Sequence, residues 1–140
     1  MLHMEQNAGK KSQNKQIGVW GEQITANYYK KDGFRIHDMN YLKPWGEIDV
    51  IAEKAHKIHF IEVKTVSYET KADLERAVAH GTWRPEEKVT DFKIKKLSRA
   101  IESWLQESKW TGDWQIDVSA VRIVPRETYA AINILDNVVL

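Results

Sequence analysis

Gly46-Glu47-Ile48-Asp49-Val50-Ile51 and, after a short turn, Phe60-Ile61-Glu62-Val63-Lys64-Thr65 are the two stretches from which the fold is read. Side chains alternate along a β-strand. Glu47 and Asp49 are therefore expected on one face with Ile48 and Val50 on the other, and Glu62 and Lys64 opposite Ile61 and Val63. With Lys54-Ala55-His56-Lys57 as the hairpin loop, Glu53 pairs with Ile58, Ile51 with Phe60, Asp49 with Glu62 and Glu47 with Lys64. Directly opposed residues point to the same side, so two acids face each other across neighbouring strands. Like charges so placed repel, and a divalent cation bridging them offsets the repulsion. Lys64 adds an ammonium that can orient a water or stabilise charge developing on a phosphoryl group. The competing reading is a surface hairpin with ordinary cross-strand ion pairs, each worth little. A slip of one residue in register would part Asp49 from Glu62.

Upstream, Ile17, Trp20, Ile24 and Tyr28 recur at the three-and-four spacing of an amphipathic helix, which predicts a helix over about 16–31 with that stripe buried. Lys30-Lys31-Asp32-Gly33 supplies its basic last turn and glycine stop. Residues 1–15 are polar and lysine-bearing and read as a flexible basic arm ahead of a single domain, 16–140. Phe34 to Tyr41, ended by Pro44-Trp45-Gly46, completes a three-stranded antiparallel meander.

Downstream, residues 67–88 show no clean period beyond a helical turn at Ala72 to Ala79 closed by Gly81; excursions of that length are usually functional or mobile. A second strong helix starts at Thr90, a candidate N-cap with Asp91 in the first turn, and runs to about Ser108. Ile94, Leu97, Ala100, Ile101, Trp104 and Leu105 form its apolar stripe, with Lys88, Lys95, Lys96 and Arg99 on the other side. Trp114 to Val124 reads as an alternating strand ended by Pro125, and Ala130 to Val139 as a last one.

The chain has 140 residues, 42% of them hydrophobic, enough for one core and too few for two comfortable domains. Lys and Arg number 21 against 20 Asp and Glu, so any attraction to nucleic acid must come from local charge. The absence of cysteine excludes disulfides and thiolate metal sites and leaves oxygen ligands as the metal option. Apolar stretches too short for a bilayer, with no apolar signal region at the start, predict a soluble cytoplasmic protein without membrane contact.

These residues together carry a resemblance. Gly18-Val19-Trp20-Gly21-Glu22, Gly33-Phe34-Arg35-Ile36 and the two strand segments resemble the YraN-like family of predicted endonucleases. That family lies within the PD-(D/E)XK nuclease superfamily and is similar to archaeal Holliday junction resolvases. Pro85-Glu86-Glu87-Lys88-Val89-Thr90 with Lys93 and Leu97 continues the likeness, as do Asp117 and Ala131 to Val138, over roughly residues 17 to 138. The resemblance implies an α/β, restriction-endonuclease-like αβββαβ core with a mixed central sheet flanked by helices. It implies Asp49, Glu62 and Lys64 as catalytic residues with Glu22 as the helix-borne acid. Thr25 departs from the family, which generally has alanine there, and Ser67 to Trp83 is longer than the usual connection.

The implied function is hydrolysis of phosphodiester bonds in DNA, branched or junction DNA included. The cofactor is Mg²⁺ or Mn²⁺, held by Asp49, Glu62, Glu22 and the Val63 carbonyl. Lys93 and Lys88 are the expected phosphate contacts, with Glu47 accessory and Lys95, Lys96 and Arg99 equally readable as a solvated helix face. The expected partner is nucleic acid, with homodimerisation compatible. Two rivals stand beside this reading: an inactive nucleic-acid-binding module of the same fold, and a protein-interaction domain whose hairpin acids are surface charge. The scattered histidines, among them His59, receive no role. Trp45 is placed by the site entrance as a base-stacking candidate, and the other tryptophans in the core or its rim.

Overall fold

The computed structural model describes residues 2–81 and 91–138, and side chains over 13–81 and 95–138. The elements are α1 (Leu2–Lys31), β1 (Arg35–Lys43), β2 (Gly46–Lys54), β3 (Lys57–Ser67), α2 (Lys71–His80), α3 (Asp91–Ser108), β4 (Asp113–Val124), a 3₁₀ turn Pro125–Glu127 and β5 (Tyr129–Leu135). The strands form one sheet in the order β1-β2-β3-β4-β5. The β3–β4 pair is parallel and the other pairs antiparallel. A parallel pair needs a long crossover, and the chain through α2 and α3 supplies it. This is the α/β, restriction-endonuclease-like arrangement, with the expected αβββαβ core and α2 as an added helix in the 67–88 excursion.

Two cores sandwich the sheet. On one side Leu97, Ala100, Ile101 and Trp104 of α3 pack on Ile48, Ile51, Ile58, Phe60 and Ile116. The predicted α3 stripe is therefore buried, with Leu105 against it; the Ile94 side chain and Thr90 lie outside the described residues. On the other side Tyr29 of α1 packs with Val50, Ala52 and Ile61.

The buried face of α1 differs from the expected one. Trp20 and Tyr28 are 41% and 45% exposed, and Gly21, Thr25, Ala26 and Tyr29 are buried instead. The reason is closeness of approach. A Cβ on Gly21 would lie 1.8 Å from Thr65 Oγ1, so α1 meets β3 along its smallest side chains, not its most apolar ones. Thr25 suits that seam: its hydroxyl donates to the Gly21 carbonyl and shares a hydrogen bond with Ser119 Oγ, both at 2.8 Å. The helix also starts at Leu2 instead of near residue 16, so the polar stretch expected as an arm has a helical backbone continuous with the packed half.

The hairpin register is the expected one, with Glu53 opposite Ile58 and Ile51 opposite Phe60. The turn is tighter than expected: Lys54 pairs with Lys57, leaving Ala55 and His56, both at positive φ (52° and 59°), as a two-residue loop. The recorded pairing of β2 with β3 ends at Val50–Ile61, one step short of Asp49 and Glu62. There Asp49 Oδ2 takes the Val63 N–H at 2.8 Å, a side chain replacing the next backbone acceptor. Strict alternation breaks at the same place. Ile48 belongs to the α3-side core and Val50 to the α1-side core, so the two do not share a face as the period-two reading required. The continuous burial of Gln115 to Val121 likewise replaces alternation in β4, because this inner strand is covered on both faces. β5 ends at Leu135, short of the expected Val139.

Among the described residues no helix is long and apolar enough to cross a membrane.

Candidate metal and catalytic site

The seam between α1 and the diverging end of the β2–β3 hairpin opens as a cleft of about 360 Å³, lined by Gly18 and Glu22 of α1, Asp49 of β2, and Val63, Thr65 and Ser67 of β3. Glu62 and Lys64 flank Val63 on β3 and form an ion pair, Lys64 Nζ to Glu62 Oε1 at 3.0 Å, with side chains only 14% and 18% exposed. The register that would set Glu47 opposite Lys64 does not extend that far; Glu47 pairs with Leu42 on β1, and Lys64 with Ala120 on β4.

The acids feel one another. Burial pushes the Asp49 carboxyl up to about 8, the Glu62 charge adds to it, the Val63 N–H opposes it, and Glu22 and Glu47 raise it further. Burial also raises Glu22; a hydrogen bond from Asn40 works against this, and Glu47 and Glu62 again push upward. Asn40 itself holds a positive φ of 55° at the point of β1 between Met39–Val50 and Tyr41–Ile48, hence beside Asp49. The structure thus brings Glu22, Asp49, Glu62 and Glu47 into one electrostatic neighbourhood with Lys64 at its edge. A carboxylate cluster in which Asp49 and Glu22 resist ionisation is a donor set that a hard divalent cation relieves.

Other predicted residues fall elsewhere. Lys88 and the side chain of Lys93 lie outside the described residues. Lys95, Lys96 and Arg99 are exposed on α3. Trp45 donates its indole N–H to Ser103 Oγ at 2.9 Å and lines a hollow with Arg99 and Ser103, not the carboxylate cleft.

A second group was not anticipated. Nδ1 or Nε2 of His59 and carboxylate oxygens of Asp117 and Asp136 lie within 4.8 Å of one another, a set that could hold a metal ion. Asp117 is 1% exposed and accepts four hydrogen bonds: from Tyr29 Oη and His59 Nδ1, both 2.7 Å to Oδ2, and from Gln115 Nε2 at 2.7 Å and the Asn137 N–H at 3.0 Å to Oδ1. Burial opposes its ionisation, but the hydrogen bonds outweigh it and hold the carboxyl far below the usual range. The members come from β3, β4 and the segment after β5, so no local spacing announces them. The one sequence signal is a lone acid inside the buried run of β4.

Fold and cleft together define a restriction-endonuclease-like α/β domain bearing clustered carboxylates. The chain belongs to the uncharacterised protein family UPF0102, the YraN family, which it matches over residues 21–121, a span that contains Glu22, Asp49, Glu62 and Lys64. It is 34% identical over 125 residues to a UPF0102 protein of Alkaliphilus oremlandii, covering 89% of this chain and 97% of that one. A UPF0102 protein of Syntrophomonas wolfei is 36% identical over 95 residues, 68% of this chain and 73% of the relative. One of Chlorobium phaeobacteroides reaches 42% over 89 residues, 64% and 61%.

Proposed function

We propose that this chain is a metal-dependent nuclease that hydrolyses phosphodiester bonds, with DNA as the favoured substrate. The observation that carries the reading is the carboxylate cleft, in which Asp49 is raised to about 8 by burial and by Glu62, with the Lys64 ammonium 3.0 Å from Glu62. A module that merely bound nucleic acid would gain nothing from negative charge gathered in its cleft, since it would repel phosphate. The donor set fits Mg²⁺ or Mn²⁺: Asp49 and Glu62 would hold the ion, with Glu22 and the Val63 carbonyl as further oxygens. When bound, such an ion supplies Lewis-acid stabilisation of phosphoryl charge and makes water more acidic.

The chain's own residues do the rest. The Val63 N–H fixes the Asp49 carboxylate, and Asn40 steadies that of Glu22. Glu62 anchors Lys64, which as an ammonium cannot accept a proton and acts by charge on the attacking water or on the phosphoryl oxygens. A cleavage panel of single-stranded, duplex, flap and four-way-junction DNA with Mg²⁺ or Mn²⁺ tests the proposal. Cutting should be abolished by Asp49→Asn and by Glu62→Gln; cleavage retained in either variant, or none by the parent on any substrate, overturns it.

A further inference from the structure

Trp20 belongs by spacing to an apolar helical stripe, yet it stands 41% exposed. It walls two neighbouring hollows. One, of about 290 Å³, is bounded by Trp20, Ile24, Ile123, Pro125 and Tyr129. The other, of about 270 Å³, shares Trp20 and Pro125 with the first and adds Ile17, Ser67 and Arg126. Ile17 and Ser67 in turn line the carboxylate cleft. Through these shared walls the three hollows adjoin in a row, a discontinuous groove from the acids to an aromatic end. Cations mark its flank: Lys71 Nζ lies 4.5 Å over the Tyr129 ring, and Arg126, its side chain 79% exposed, pairs at 3.5 Å with the equally solvated Glu69, a weak surface pair that a phosphate can displace.

We infer that this groove receives an unpaired nucleobase, stacked on Trp20, from the nucleotide next to the phosphate in the carboxylate cleft. The substrate class is then nucleic acid with unpaired nucleotides at the cut site, not continuous duplex. This rests on the nuclease reading of the cleft. A duplex hides its base faces in the stack and presents charged backbone, to which an apolar wall offers nothing. An unpaired base has a free π-face that an indole matches regardless of sequence, and Arg126 and Lys71 suit the phosphates on either side. Trp20 is thus exposed where a ligand with apolar faces and a charged backbone would cover it.

The test uses two oligonucleotides carrying 2-aminopurine, one in a single-stranded gap and one in uninterrupted duplex, titrated with the protein in Ca²⁺. Stacking on Trp20 should quench the probe in the gap. Trp20→Ala should abolish the quench and weaken gap binding by about five- to a hundredfold, the range for losing one base–aromatic stack. Trp20→Phe should keep most of both, and duplex binding should fall far less. Unchanged quench and affinity in Trp20→Ala, or equal losses on gap and duplex, overturn the inference. Cleavage with Trp20-independent binding removes the groove alone and leaves the nuclease reading. Trp20-dependent binding without cleavage in Mg²⁺ supports the groove and removes the catalysis. If neither oligonucleotide binds, both fall.

Discussion

Lys64 is where a structural and a chemical role give different numbers. As no more than a largely buried ion pair with Glu62 it would serve structure alone, so that Lys64→Met would lower the urea midpoint and leave any cleavage rate of the folded protein nearly unchanged. As a group serving the transition state, the same change should lower the single-turnover rate by about a hundredfold or more under conditions where the variant is fully folded. Asp49 makes a second prediction. Folding raises its pKa from 3.8 to about 8, so between those values the native state keeps a proton that the unfolded chain has released. Stability of the metal-free protein from this group therefore falls as pH rises through that window. Asp49→Asn can still accept from Val63 N–H, so it should raise the metal-free melting temperature at pH 7 and flatten its decline with pH. A variant melting lower than the parent would contradict this. Asp117 has the opposite sign. Its folded pKa is depressed, so its contribution is present above its ordinary value of 3.8 and is lost as pH falls below it. Asp117→Asn turns an amide N–H₂ toward donors, and should cost about 2–5 kcal/mol by urea unfolding at pH 7.

At the scale of the element, α1 and α3 each come closest to the sheet at one glycine, Gly21 of α1 itself and Gly46 of β2 beneath α3. A Cβ on Gly46 would stand 2.0 Å from the carbonyl oxygen of Lys96 in α3. That neighbour is backbone and cannot rotate away, so Gly46→Ala should force α3 away from the start of β2 and cost about 1–3 kcal/mol, the range for overpacking. On Gly21 the obstacle is the Thr65 side chain, which has rotamer freedom. Gly21→Ala should accordingly cost less, and Gly21→Ala with Thr65→Ala less still, a coupling that a double-mutant cycle in urea would read. Equal costs at the two glycines would show that α1 and α3 seat with the same rigidity.

For the whole molecule the measurable quantity is the linkage between metal and folding. A divalent cation that binds only the folded state stabilises it by mass action, by about 2.7 kcal/mol at a hundred times its Kd. The melting temperature of the parent should climb with Mg²⁺ or Mn²⁺, and the increment should vanish in the Asp49→Asn/Glu62→Gln double variant. An increment that survives there but disappears in His59→Ala would put the ion at His59, Asp117 and Asp136 instead. The two groups share no residue, so the double variant leaves His59, Asp117 and Asp136 in place and His59→Ala leaves all the carboxylates in place.

The sequence by itself determined the order of elements, the β2–β3 register from the turn as far as Val50 and Ile61, and the apolar face of α3, because these depend on local period and on turn residues. Tertiary structure decided what depends on covering. The apolar stripe of α1 promised Trp20 and Tyr28 to the core, but steric closeness to Thr65 chose Gly21, Thr25 and Ala26. β4 lost its alternation because both of its faces are covered, and β2 lost its own at Asp49, where the hairpin ladder stops and a side chain takes over a backbone hydrogen bond. The His59–Asp117–Asp136 group stayed hidden for the same reason. Spacing within a segment reports neighbours along the chain, whereas parallel pairing of β3 with β4 brings together residues that only the completed sheet makes adjacent.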